Sequence, residues 1–273
     1  MSLTDTKDRA LVFVAVFALL ALGIIAAPAP AALAAQNSCP SGGTPPPGST
    51  VDGGLDVDGV CIVDGVTVNG GITVEAGGHL QLQSSIVNGG ILSLPCGELD
   101  VNATTLGAGV PTNTSSTIHG GIDIEANNIC PNGAYSDVDI FTAHIDGGIS
   151  MTGTFPVFFF PLICGNDIQG AVHLDNVTVV PIGLFEGTIG DPDGALRSCP
   201  GNTISGSVHM SNSSVFAVES NIVGGSVLLS GSTLELNGNT IQGSLRCTNG
   251  TVILPGELTD PSGNTVHGKN TCS

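Results

Sequence analysis

The chain has no tryptophan, one tyrosine and only five lysines and arginines among its 273 residues. So few cations exclude nucleic-acid binding, which needs clustered Lys and Arg to neutralise phosphates. Anionic bilayer surfaces are disfavoured on the same ground. With no Trp and the single Tyr135, the chain lacks the aromatic platforms that a sugar-binding module would present. Beyond residue 34 no stretch keeps a helical period, so crossover helices are not expected. The richest late apolar run, Phe155 to Cys164, is too short to span a bilayer and holds Pro156 and Pro161.

What is present begins with a leader. Lys7 and Arg9 precede an almost wholly apolar stretch over residues 10–27, and Ala32-Leu33-Ala34 fits the small-x-small cleavage rule. Residues 1–34 are therefore expected to be a signal peptide cleaved after Ala34; the alternative is an uncleaved anchor. Removing Asp5, Asp8, Lys7 and Arg9 with it leaves 21 of the 23 acidic residues and three of the five basic ones. The mature chain is read as acidic, exported and not membrane-embedded. All eight cysteines follow the leader, an even count that reads as disulfides in an oxidising compartment. There is no Cys-x-x-Cys pair for a zinc site. Residues 35–50, with Ser41-Gly42-Gly43-Thr44-Pro45-Pro46-Pro47-Gly48, have linker composition.

From Val51 one phrase keeps returning. It reads Val51-Asp52-Gly53-Gly54-Leu55-Asp56-Val57, then Val68-Asn69-Gly70-Gly71-Ile72-Thr73-Val74, then Ile118-His119-Gly120-Gly121-Ile122-Asp123-Ile124. Ten marker glycines follow: Gly53, Gly70, Gly89, Gly120, Gly147, Gly170, Gly206, Gly225, Gly243 and Gly268. The short spacings, 17 to 19 residues, define a bare coil; longer ones, up to 36, mark insertions between Gly89 and Gly206. After each glycine the apolar residues alternate, which is a strand signal. A second alternating stretch follows in places, as in His79-Leu80-Gln81-Leu82-Gln83. A fixed phrase at this period means stacked repeats. The fold class is all-β: a parallel β-solenoid of roughly ten coils over residues 51–273, rising about 4.8 Å per coil.

A second phrase precedes many glycines: Gly165-Asn166-Asp167-Ile168, Gly201-Asn202-Thr203-Ile204, Gly238-Asn239-Thr240-Ile241 and Gly263-Asn264-Thr265-Val266. Asn tolerates left-handed backbone angles, and stacked Asn side chains can hydrogen-bond along the rod. On these units the chain resembles the right-handed parallel β-helix repeats of pectate-lyase-like proteins. It also resembles secreted actinobacterial-type β-solenoid proteins. The resemblance implies a right-handed winding and says nothing of activity. A left-handed hexapeptide helix would need a strict six-residue beat, which these spacings do not keep.

The glycines also align the cysteines. Cys247 and Cys272 each lie four residues after a marker glycine, which puts them in one column on successive coils. Cys164 and Cys199 precede Gly170 and Gly206 at like distances, and Cys96 and Cys130 follow Gly89 and Gly120. Cys39 and Cys61 remain for the N-terminal end. This sequential pairing is the expectation.

The third position after the glycine forms one outward column: Asp56, Thr73, Leu92, Asp123, Ser150, His173, His209, Leu228, Arg246. His173 and His209 on adjacent coils, with Asp123 nearby, could bind a metal or do acid–base work, or could simply be solvated. Asp52, Asp56, Asp58 and Asp64 cluster at the first coil, and Asp137 and Asp139 share a strand face, a pattern that suits Ca²⁺. No calcium motif is present, so a solvated acidic face is the default reading.

Polysaccharide lyases and hydrolases belong to the β-helix lineage that the chain resembles. The basic residues and paired carboxylates of those enzymes are not matched: Arg197, Arg246 and Lys269 are the only cations of the mature chain. No catalytic residue and no cofactor is implied. The expected role is structural or interacting, toward a cell-surface or extracellular polymer or protein. A carbohydrate-active enzyme is the alternative.

Overall fold

The computed structural model describes residues 37–39, 43–104, 110–111, 115–130, 136–156, 161–179, 188–190, 200–254 and 263–272. Residues 1–34, where the leader is expected, lie outside them. Among the described residues there is no helix, and none is long and apolar enough to cross a membrane. The regular elements are short strands, and all but one hairpin pair in parallel.

Each coil lays down up to three strands. Residues Thr67–Asn69, Ile72–Val74 and His79–Gln83 make one coil, and Ile86–Val87, Ile91–Ser93 and Glu98–Val101 make the next. The first strand of each coil joins a ten-stranded parallel sheet that runs from Thr50–Asp52 to Thr265–Val266. The other two belong to a nineteen-stranded sheet, folded over two faces: ten strands from Asn37–Cys39 to Leu245–Thr248, and nine from Val60–Asp64 to Val252–Leu254. The roughly ten coils read from the glycines correspond to the ten strands of the first sheet.

The period-two pattern explains the core. In the ten-stranded sheet the inward residues Val68, Val87, Ile118, Ile145, Ile168, Ile204, Val223 and Ile241 all have 0% exposure. Leu80, Leu82, Leu99, Val101, Val138 and Ile140 do the same for the second face of the larger sheet. One continuous column of branched apolar side chains therefore runs down the interior, the dominant favourable term for a fold without helices. Gly120, Gly147 and Gly170 mark a different need. A Cβ on Gly147 would sit 2.5 Å from the Gly121 backbone nitrogen, so the coils approach too closely for any side chain.

The corner before the ten-stranded sheet holds the asparagine ladder. The side-chain amides of Asn166, Asn202, Asn221 and Asn239 donate to the Oδ1 of the next member, ending at Asn264, over 2.9–3.0 Å. In the earlier coils serines stand at that corner: Val66 N–H donates to Ser85 Oγ, and Ser85 N–H to Ser116 Oγ. Left-handed backbone does occur at asparagines, at Asn102, Asn176, Asn212 and Asn249, but in the ladder it falls one residue before Asn166, Asn221 and Asn239: Gly165, Ser220 and Gly238 have φ of 67°, 55° and 63°. The turn is made there, which frees the next side chain to point inward.

Three disulfides join the expected partners: Cys39–Cys61, Cys96–Cys130 and Cys247–Cys272, with Cα separations of 5.9, 5.6 and 4.9 Å. Cys164 is disulfide-bonded too. Its expected partner Cys199 lies outside the described residues. Part of the stretch read as a linker is built into the fold. Asn37–Cys39 pairs in parallel with Leu55–Val57, and Gly43 bridges to Cys61, so these residues begin the stack. A strand of three residues flanked by Gly and Pro carries too little alternation to stand out in the sequence. Among the described residues the one antiparallel pair, Ala103–Thr104 with Val110–Pro111, lies within the insertion-bearing coils.

Candidate functional site

Three places on the solenoid carry more polar chemistry than the scaffold requires. The first is the outer face of the ten-stranded sheet. Its strands point two straight columns outward. One reads Thr50, Thr67, Ile86, Thr117, His144, Asp167, Thr203, Ile222, Thr240, Thr265, by the register of successive pairs. In the middle of this face the side chains form a chain of imidazoles and carboxylates. His119 Nδ1 lies 2.6 Å from Asp146 Oδ2, His144 Nε2 lies 2.9 Å from Asp146 Oδ1, and His144 Nδ1 lies 2.8 Å from Asp167 Oδ2. With both ring nitrogens facing carboxylates, His144 is placed to donate from both as the imidazolium. The Asp167 hydrogen bond, then that of Asp146, holds its pKa above the ordinary value. The His119 hydrogen bond, then that of His144, holds Asp146 below its own.

The second place is the groove around His173 and His209. The expected column is reproduced in full: Asp123 is in register with Ser150, Ser150 with His173, His173 with His209, His209 with Leu228 and Leu228 with Arg246. The two imidazole rings lie 4.8 Å apart between centroids, tilted by 57°. Asp175, Ser211 and Arg246 share their groove, and Ser211 Oγ donates to Asp175 Oδ1. Burial, and then the charge of His173, holds the His209 pKa below the ordinary value. Asp123 is two strands from His173 with Ser150 between, so the carboxylate foreseen for this pair does not reach it.

The third place was not foreseen as a unit. On the second face of the larger sheet, His79 is in register with Glu98, and Glu98 with Asp137. Two residues along, Gln81, Asp100 and Asp139 form a parallel row on the same outward side. Outward residues of a solenoid are normally wet, yet His79, Asp100, Asp137 and Asp139 are between 2 and 4% exposed. His79 Nε2 lies 2.8 Å from Asp100 Oδ2 and 3.6 Å from Glu98 Oε1. Burial pulls the His79 pKa down, but the Asp100 hydrogen bond and the charges of Glu98, Asp100 and Asp137 outweigh it and leave it raised. Burial raises Glu98, and it pushes Asp137 up to about 7, helped by the charges of Asp100 and Glu98.

Among the described residues, only His79, Glu98 and Asp100 converge as three ligand groups. The sequence candidates Asp52, Asp56, Asp58, Asp64, His173 and His209 are not brought into it. Asp52 instead accepts from the Asn69 side-chain amide over 2.8 Å. Asp137 and Asp139 do share one face, as the alternation implied, and they belong beside this cluster. The signal that could have found it is the second alternating stretch: His79-Leu80-Gln81, Glu98-Leu99-Asp100 and Asp137-Val138-Asp139 repeat one pattern. No protein-family model, curated protein or solved structure matches the chain.

Proposed function

We propose that the chain is an exported structural or interaction protein, a disulfide-stapled solenoid that presents its ten-stranded face to an extracellular polymer or protein. The observation that carries this reading is the continuity of that face. Its ten strands run from Thr50–Asp52 to Thr265–Val266 without an interposed strand. Threonine predominates in one of its outward columns, and Ile86 and Ile222 stand 42 and 51% exposed in that column. A regular array of hydroxyl and apolar groups suits contact with a repetitive partner better than capture of a small molecule. The winding is taken as right-handed, as the resemblance implies and as parallel crossovers favour.

Export is supported by the leader-like residues 1–34 and by the disulfides, which persist in oxidising compartments. A non-catalytic role is supported by the burial of the His79–Glu98–Asp100 cluster, where a polymer chain could not reach His79 or Asp100, 4 and 2% exposed. The test is fractionation followed by incubation. The chain is expected outside the cytoplasm, shortened at its N-terminus. A panel of uronic-acid and neutral polysaccharides is expected to yield no new reducing ends or unsaturated products. Turnover of any of them would replace this reading with the carbohydrate-active one. Retention in the cytoplasm would overturn the export.

A further inference from the structure

We propose that His79, Glu98 and Asp100, with Asp137 beside them, bind one divalent transition-metal ion of the zinc class. The ligand atoms of the first three lie within 4.8 Å of one another, so a single ion can touch all of them. Two adjacent strands set that geometry by register, with Asp137 on the next one, which is a rigid frame and not a loop.

A second observation is independent of the clustering. Glu98 Oε1 is buried without a hydrogen-bond partner, 3.6 Å from His79 Nε2. A buried carboxylate oxygen with no donor calls for an explanation, and a cation is one of the few available. Charge points the same way. Glu98, Asp100 and Asp137 place three carboxylates around one imidazole, and a buried excess of negative charge has to be offset by protonation or by a bound cation.

The donor set selects the ion. Imidazole nitrogen with Asp and Glu oxygens suits zinc and its first-row neighbours, whereas calcium takes oxygen ligands throughout. Bound there, the ion would tie together the strands that begin at His79, Glu98 and Asp137. It would do so beside the Cys96–Cys130 bond, in the coils that carry insertions.

The full chain, stripped with chelator and dialysed, would be titrated with Zn²⁺ and separately with Ca²⁺ by calorimetry, and melted with and without each. One equivalent of Zn²⁺ should bind and raise the melting temperature, with Ca²⁺ much weaker. His79→Gln and Glu98→Gln should each weaken Zn²⁺ binding by at least about a hundredfold. His173→Gln should leave it unchanged. The zinc X-ray absorption edge of the wild-type complex reads the ligands even if a variant fails to fold: one imidazole with oxygens is expected. Absence of saturable Zn²⁺ binding, tighter Ca²⁺ binding, or a site with two imidazoles would each overturn the proposal. The last result would place the ion at His173 and His209 or along the His119–His144 chain.

Discussion

Asn202 and Asn221 occupy the same corner of successive coils, and Asn221 Oδ1 accepts from both the backbone N–H and the side-chain amide of Asn202, each at 3.0 Å. Asn221 is fully buried. Asn221→Ala would leave two donors of Asn202 unsatisfied inside the rod, at a cost of about 1–3 kcal/mol for each group. A loss of roughly 3 kcal/mol in urea unfolding is expected, with little change in the slope of the transition. A loss below about 1 kcal/mol would show that the ladder is ornamental.

The marker glycines make a sharper contrast. Gly147→Ala would force a methyl group to within 2.7 Å of backbone atoms of the preceding coil, where nothing can swing aside. It should cost about 3 kcal/mol or more, or prevent folding outright. A methyl group at Gly263 would meet no neighbouring atom within 4 Å, so Gly263→Ala should stay within about 0.5 kcal/mol of the parent. Thermal melts of the two variants side by side check this.

The Cys247–Cys272 bond closes the C-terminal coil across a sequence separation of 25. Chain-entropy arguments assign such a loop about 3.5 kcal/mol. The double variant Cys247→Ser/Cys272→Ser should lower stability by an amount of this order, and proteolysis should then attack the C-terminal residues first. Peptide mapping without reductant should recover the two cysteines in one linked pair.

The His119–Asp146–His144–Asp167 chain predicts a pH window. The folded pKa of His144 is raised above 6.5, so its contribution is fully present below 6.5 and fades as pH rises through the folded value. Asp146 is held below 3.8, so its contribution is present above 3.8 and fades as pH falls through the folded value. The chain therefore stabilises most between about pH 4 and 6.5. Because these groups are exposed, His144→Gln should lower the melting temperature by only about one or two degrees at pH 5.5, and by less at pH 8. The imidazole titration followed by NMR should place His144 above the ordinary histidine value.

Much of this architecture is written in the chain, and the limits have physical causes. The glycine phrase places the outward column from Asp56 to Arg246 because the residues between glycine and strand are fixed in number. The same ruler pairs Cys247 with Cys272. It fails for His79, Glu98 and Asp137 because the distance from the glycine to the second strand is not constant. Gly70 precedes His79 by nine residues and Gly89 precedes Glu98 by nine, whereas Gly120 precedes Asp137 by 17. An insertion hides the register, and burial of an outward column is invisible to alternation alone. The corner ladder was legible where it is asparagine. It was not legible where Ser85 and Ser116 do the same work, since serine is common at any turn.

The ladders also fix how this molecule could lengthen or shorten. Between two consecutive coils the corner pairs Asn202–Asn221, Ser207–Ser226 and Ser213–Ser232 all step by 19 residues. Residues 203–221 are thus an interchangeable module: excising them would join Asn202 to Ile222 and restore every column one storey shorter. Duplicating them would add a storey. Insertion or loss of a single residue inside a strand would instead turn a buried column outward, unless it falls where the stack already absorbs one, as between Ser214 and Ala217, where the step to the next coil changes from 19 to 18. Whole-unit recombination should therefore be tolerated at any coil, and single-residue indels only at such bulges.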